Sequence, residues 1–390
     1  MERKRPIRIL RIITRMNIGG PAWQVSVLVR GLDPEQFESQ LISGQVADGE
    51  ADFVDLRDPE LPIRRVAALG RSIRFGDDLR ALVEIRRMVV AFRPDIVHTH
   101  TAKAGLVGRL AAVTSRVPIT VHTFHGHTLH SYFKKPSAQI LRFIESRLAN
   151  HTTSLVAVGG RVRDDLLEAG IGRADQYSVI PPGVDLGSLP NQVSARIALG
   201  LPPDRPVVLF VGRLTAVKRP DRLIDAMACV LERLPDTLLV VAGEGDLFDE
   251  TRLRAKPLGP SVRFLGWQQD LNRVYAAADV AVLTSDNEGM PVSLIEASLS
   301  GLPSVTTNVG SAGEVVVDGV TGRVVEATAG SVADALVELL SDEDLRSSMG
   351  EAAQEHSGKA YGVGRLIRDH EALYHQLLSE KPRGRLRPDG

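Results

Sequence analysis

Short β-branched, apolar runs alternate along this chain with longer stretches in which apolar residues recur every three or four positions, the pattern of β-α-β units on parallel sheets. In the first half, positions 7–13, 95–98, 119–123 and 155–158 read as buried strands. Positions 23–32, 79–92, 104–115, 137–148 and 161–169 carry helical spacing. Arg93-Pro94-Asp95 separates a helix from a strand, because the residue before proline avoids helical angles. The pattern breaks around Pro181-Pro182-Gly183 and Leu189-Pro190, and a fresh strand opens at Pro206 and runs to Gly212. Beyond it, strands at 237–242, 262–265, 279–283 and 304–306 alternate with helices at 219–234, 270–278, 291–300 and 331–341. A helix with one apolar face follows at 371–378, then a tail rich in Pro, Gly and Arg that reads as disordered.

The pattern predicts an α/β fold of two Rossmann-like, doubly wound parallel-sheet domains facing a cleft. The first covers 1–188, the second 189–365, with a terminal helix at 366–380 and a tail at 381–390. Open sheets of this kind bind ligands beyond the carboxyl ends of their strands, so the chemistry is expected in the loops that follow strands.

Composition narrows the setting. The single cysteine, Cys229, excludes an intrachain disulfide and favours a reducing, cytoplasmic environment. The basic start is followed by an apolar stretch that Arg8, Arg11 and Arg15 interrupt, unlike a secretory signal, and no run approaches the ~20 apolar residues of a membrane span. A net charge of −1 argues against a nucleic-acid partner, yet it hides an asymmetry. Residues 1–190 hold 26 basic and 20 acidic side chains, whereas 191–390 hold 21 and 28.

Several post-strand segments carry candidate chemistry. Gly19-Gly20 precedes a helix, where backbone amides favour an anion such as phosphate, although a tight turn alone accounts for such a pair equally well. The spacing is not the G-x-G-x-x-G of a dinucleotide site. His98-Thr99-His100-Thr101-Ala102-Lys103 and His122-Thr123-Phe124-His125-Gly126-His127 concentrate histidines that read as structural donors, substrate contacts or, less well, zinc ligands. His125, at a strand end before glycine, is the best candidate for a substrate hydrogen bond. Arg213 and Lys218 are two cations after the fresh strand, suited to a diphosphate, with surface pairing or simple solvation as the alternatives. After the strand at 279–283, Glu288-Gly289-Met290-Pro291 leads into a helix that carries Glu296; Pro291 fits its first turn, and both carboxylates suit a hydroxyl-rich ligand. Val309-Gly310-Ser311-Ala312-Gly313 offers another glycine-rich helix start.

This ordered set resembles the retaining family-four glycosyltransferases of the GT-B fold, from Ile7 to about Leu378. The markers are Gly19-Gly20, P-D-I-V-H-x-H with Lys103, Pro181-Pro182-Gly183-Val184-Asp185, Gly212-Arg213 with Lys218, and Glu288 with Glu296. The resemblance implies an N-terminal acceptor domain and a C-terminal domain that binds a nucleotide-sugar donor. It implies that Arg213 and Lys218 hold the donor diphosphate, Glu296 the ribose, and Glu288, Gly289, Met290 and Pro291 the transferred sugar. His125 falls near the reacting sugar, Gly19 and Gly20 near the phosphates, and the last helix crosses back to the first domain.

The implied reaction moves a hexose or N-acetylhexosamine from a nucleotide diphosphate sugar, UDP-linked first and GDP-mannose second, to a saccharide or lipid-linked acceptor. No cofactor and no metal are expected, since the Arg/Lys pair can replace a metal at the departing diphosphate and no D-x-D motif stands at a strand end. His100, Lys103 and Tyr132 are candidate acceptor contacts; Tyr132 lies in a segment with aromatics beside two lysines, suited to a lipid-water interface. The basic half also suits peripheral contact with an anionic membrane at its cytoplasmic face. Two other classes fit the same motifs: a catalytically silent sugar-nucleotide binding module and a sugar-nucleotide epimerase.

Overall fold

The computed structural model describes residues 5–47, 50–70, 72, 74–126 and 135–380, the side chains of 135–138 excepted. Tyr132, His127 and the tail at 381–390 lie outside the described residues. The chain divides into two compact units, Met1–Gly183 with Val363–Gly390, and Val184–Gly362.

The first unit is built on strands β1 (Ile7–Arg15), β2 (Phe37–Gly44), β3 (Ile63–Arg65), β4 (Ile96–His100), β5 (Ile119–Phe124), β6 (Ser154–Ala157) and β7 (Tyr177–Val179). All pair in parallel, in the order β3-β2-β1-β4-β5-β6-β7. The second unit carries β8 (Val207–Val211), β9 (Leu238–Ala242), β10 (Val262–Gly266), β11 (Val280–Leu283), β12 (Ser304–Thr307) and β13 (Gly322–Val325). These too are parallel, in the order β10-β9-β8-β11-β12-β13. Each unit is therefore a doubly wound, Rossmann-like sheet, as the alternating pattern predicts.

Alternation along β1 sends its apolar residues to two helical layers. Leu10 and Ile12 meet Ala81, Ile85 and Val89 of the helix Phe75–Phe92 and Ala104, Val107 and Ala111 of the helix Ala102–Thr114. Ile9 packs on the other face with Leu28 of the helix Gly20–Gly31 and with Leu366, Leu373, Tyr374 and Leu377 of the helix Val363–Glu380. The last helix of the chain thus completes the core of the first unit. Arg365 fastens its start by donating from Nη2 to the Pro181 carbonyl at 2.7 Å and the Pro182 carbonyl at 3.0 Å.

Four strands are absent from the hydrophobic pattern: β2, β3, β7 and β13. The first half of β2, Glu38-Ser39-Gln40, is polar and half-buried, and β3, β7 and β13 are edge strands of three or four residues. The helix Glu343–Ala360 buries only Met349, Gly350, Ala353 and Ser357, too small a stripe to register, and the helix Val363–Glu380 begins eight residues before the pattern at 371.

Strand order reverses between β1 and β4 in the first sheet and between β8 and β11 in the second. At such switch points adjacent loops diverge to opposite sides of the sheet and leave a crevice for a ligand.

Candidate active sites at the strand-order switch points

In the second unit the loops after β8 and β11 flank the switch point and are tied across it. Asp286 N donates to the Val217 carbonyl at 2.8 Å. Arg219 Nη1 and Arg222 Nη2 reach the two Asp286 carboxylate oxygens at 2.9 and 2.7 Å. Burial opposes ionisation of Asp286, but hydrogen bonds from Arg222 and Arg219 outweigh it and hold the carboxyl below its usual range. These bonds also secure Arg219 at φ 51°, a left-handed angle uncommon for a side chain of that size, at the start of the helix Pro220–Arg233.

Lys218 Nζ lies 2.5 Å from Glu288 Oε1, and Ser285 Oγ donates to the same oxygen at 2.5 Å. Arg213, on the same loop, is exposed and forms no ion pair among the described residues. The site therefore presents one open cation and one balanced by a carboxylate. Glu296 sits half-buried on the helix Val292–Leu299, its Oε2 accepting the Tyr275 hydroxyl at 2.7 Å. Burial and the neighbouring Glu296 push the Tyr275 phenol well up, so it stays a donor. Met290 is buried beside the loop. Pro291 stands at the N-cap, not in the first turn: its extended ψ of 107° ends the loop, and the helix begins at Val292.

Gly310 locks the next loop onto this one. Its φ is +49°, and a Cβ there would fall 1.8 Å from the Glu288 carbonyl, while Ser311 N donates to the Gly289 carbonyl at 3.0 Å. Only glycine lets the two backbones meet this closely.

In the first unit Gly19 caps the helix Gly20–Gly31 after β1, leaving first-turn amides without a side-chain cap. Across the switch point Thr101, at φ 68°, joins β1 to β4 through a 2.6 Å contact between its Oγ1 and that of Thr14. Lys103 is drawn to Asp78 at 2.5 Å and to the Ser72 carbonyl, so its charge is already matched.

His98 and His100 lie inside β4, not in the loop after it, and both are fully buried. His100, a candidate acceptor contact, is therefore closed off from solvent in this structure. Its Nδ1 instead meets His125 Nε2 at 3.1 Å, and its ring stacks on His98 at 4.3 Å. Arg11 Nη2 donates to Tyr374 OH at 3.2 Å, and that hydroxyl is 2.7 Å from His98 Nδ1, whose Nε2 is 2.7 Å from Thr123 Oγ1. Because arginine only donates, the Tyr374 hydroxyl is assigned as donor to His98 Nδ1, which places the His98 proton on Nε2, facing Thr123 Oγ1. Burial depresses His98 and His100 far below the ordinary imidazole value, helped by Arg11 and neighbouring histidines, and brings His125 down to about 3. His125 is thus a neutral hydrogen-bonding group rather than an acid. His122 is buried, with Nδ1 2.8 Å from Thr99 Oγ1. Among the described residues no group of three or more His, Cys, Asp or Glu side chains is placed to hold a metal ion.

Sequence reasoning missed Tyr275, Asp286, Arg219, Arg222, Arg11 and Tyr374. Asp286 lies two residues before Glu288 and Arg219 directly after Lys218, so their charges were overshadowed by those neighbours. His370 and Tyr374, four residues apart on one helix face, were the available sign of an inward polar stripe.

Two Rossmann-like units, each with chemistry at its switch point, define the GT-B class of transferases. Residues 19–183 match the family described as Glycosyl transferase 4-like domain, and residues 192–356 match Glycosyl transferases group 1. A UDP-Gal:alpha-D-GlcNAc-diphosphoundecaprenol alpha-1,3-galactosyltransferase of Escherichia coli is 30% identical over 287 residues, covering 71% of this chain and 73% of its own. A D-inositol 3-phosphate glycosyltransferase of Corynebacterium glutamicum is 31% identical over 386 residues, covering 92% and 88%. Among solved structures, Anabaena HepE in complex with UDP and glucose superposes with a TM-score of 0.81 at 22% identity, covering 95% of this chain and 100% of that one. The chain belongs to the family-four-type GT-B glycosyltransferases. It is a transferase, which sets aside the silent binding module and the epimerase.

Proposed function

We propose that this glycosyltransferase moves a hexose or N-acetylhexosamine from a UDP-sugar to a saccharide or lipid-linked saccharide acceptor, with retention at the anomeric carbon and without a metal. The observation that carries the reading is Lys218 paired with Glu288 across the switch point of the second unit, with Arg213 exposed on the same loop as Lys218. Sugar transfer passes through an oxocarbenium-like state while negative charge grows on the departing diphosphate. Arg213, unpaired by any described residue, and Lys218, exchanging Glu288 for phosphate, would neutralise that charge, which is the work a metal does elsewhere.

In this reading Glu296, oriented by Tyr275, takes the ribose hydroxyls, and Glu288 with the Gly289, Met290 and Pro291 backbone takes the sugar. His125 donates or accepts a hydrogen bond at the sugar, and the helix start at Gly19 and Gly20 favours phosphate. Lys103 and Tyr132 remain the acceptor-side candidates. The leaving diphosphate helps deprotonate the acceptor hydroxyl as it attacks from the same face. The Escherichia coli relative, named for a diphosphoundecaprenol-linked sugar, supports a lipid-linked acceptor and a cytoplasmic enzyme at the membrane surface. No described helix is long and apolar enough to cross a membrane, so that association would be peripheral.

The test is incubation with UDP- and GDP-sugars and a lipid-linked acceptor in the presence of EDTA, with the product's anomeric configuration read by NMR. Retained transfer from a UDP-sugar supports the proposal. Inversion, transfer only from GDP-mannose, or loss of activity in EDTA each overturns its part.

A further inference from the structure

The helices Phe75–Phe92, Ala102–Thr114 and Lys135–Ala149 form one layer on the first sheet, the second packed against the other two. Each exposes apolar side chains. Phe75 is 88% exposed, and Leu79, Val83 and Val90 continue the line at four- and seven-residue intervals along the full length of its helix. At 3.6 residues per turn these four fall within one side of the cylinder. Leu110 and Val113 are exposed on the middle helix, Ile140 and Phe143 on the third. A surface of this length facing water calls for an occupant.

The charge around it names the occupant's chemistry. Between positions 71 and 149 the chain has 13 Lys and Arg against 5 Asp and Glu, more than the whole positive excess of residues 1–190. Arg86, Arg87, Arg93, Arg116 and Arg142 are exposed there without an ion pair among the described residues, and Arg147 lies over the Phe143 ring at 4.9 Å. Apolar side chains interleaved with unpaired arginines match the boundary of an anionic bilayer, where apolar groups enter the acyl region and guanidinium groups meet phosphates. A second copy of the same face fits poorly, since an isologous contact would oppose arginine to arginine.

We propose that the outer face of these three helices docks the first unit on an anionic lipid surface. The inference rests on the membrane-surface reading above and assigns it to residues the sequence did not single out.

The experiment is flotation of the full chain with phosphatidylcholine vesicles and with mixed phosphatidylcholine–phosphatidylglycerol vesicles, for wild type, Leu79→Glu/Val83→Glu and Arg86→Glu/Arg87→Glu. Expected is binding to the anionic vesicles alone, weakened by salt and reduced about tenfold or more in either variant. Circular dichroism and UDP-induced thermal stabilisation, both unchanged in the variants, show that fold and donor site are intact. Equal binding to neutral vesicles, unaltered binding in both variants, or a wild-type dimer abolished by the same substitutions overturns the proposal. Sugar transfer to a water-soluble acceptor, measured without vesicles, reports separately on the proposed function.

Discussion

Lys218 and Glu288 form a 2.5 Å ion pair across the point where the strand order of the second sheet reverses, joining the loop after β8 to the loop after β11. In the reading proposed above, the donor's diphosphate competes with this carboxylate for the cation. Glu288→Gln should therefore tighten UDP binding while lowering the rate of transfer. Calorimetry with UDP and initial rates with the full donor check the two halves; weaker UDP binding would show that Glu288 orders the lysine more than it competes for it.

The proposed role of Arg213 at the leaving diphosphate can be separated from its contribution to stability. Its side chain is exposed and without an ion pair among the described residues, so Arg213→Ala should change unfolding free energy by no more than about 0.5 kcal/mol. Loss of a preorganised donor at the leaving group should nonetheless cost roughly 2–4 kcal/mol in kcat/KM. Chemical denaturation and steady-state kinetics give both numbers, and near-wild-type turnover would remove Arg213 from the mechanism.

Tyr374→Phe withdraws a hydroxyl shared by Arg11 and His98 in a region without exposure. Two buried polar groups lose a partner, and the expected destabilisation is about 1–3 kcal/mol. Urea unfolding measures it.

Acid should loosen the first unit before carboxylates dominate. His125 and His370 sit at about 3 when folded, against an ordinary value of 6.5, and His98, His100 and His122 are lowered too. The unfolded chain therefore binds more protons below pH 6.5. Stability is full above that value and falls as pH drops towards 3, His125 and His370 each contributing up to about 1.4 kcal/mol of loss per pH unit within that window. Melting temperature against pH from 7.5 to 5, in wild type and in His370→Gln, reads the slope.

Gly310→Ala should displace the Glu288 loop, because the added methyl meets a backbone carbonyl and the residue sits at φ +49°. A destabilisation above about 2 kcal/mol is expected, with UDP affinity falling in parallel.

The doubly wound character of the second sheet was legible because its central strands β8, β9 and β11 are buried on both faces and read as continuous apolar runs, whereas β1 and β4 of the first carry Arg11, His98 and His100 among their apolar residues. Edge strands β3 and β13 were illegible for the converse reason: one side of each faces solvent, and three or four residues cannot set up a period. Arg213, Lys218 and Glu288 were legible as charged residues in the loops that follow β8 and β11, and Glu296 as a carboxylate on the helix that comes next. Their partners were not. Tyr275 reaches Glu296 from 21 residues away, and Tyr374 meets His98 across 276 positions, pairings that only the folded sheet brings about. The burial of His100 was not legible, because a histidine near a strand end looks the same in sequence whether the last pleat points it inward or out.

The helix Val363–Glu380 closes the hydrophobic core begun by β1, although 179 residues of the other unit are threaded between them. During synthesis the amino-terminal unit must therefore wait, its face around Ile9, Leu28 and Ile96 uncovered, until the helix Val363–Glu380 has been made. The second unit, contiguous in sequence, is free to fold as it emerges. A stop codon shortly after Gly362 would spare the contiguous unit while leaving the earlier-made one with an open seam, so the damage from a late truncation would surface at the opposite end of the polypeptide.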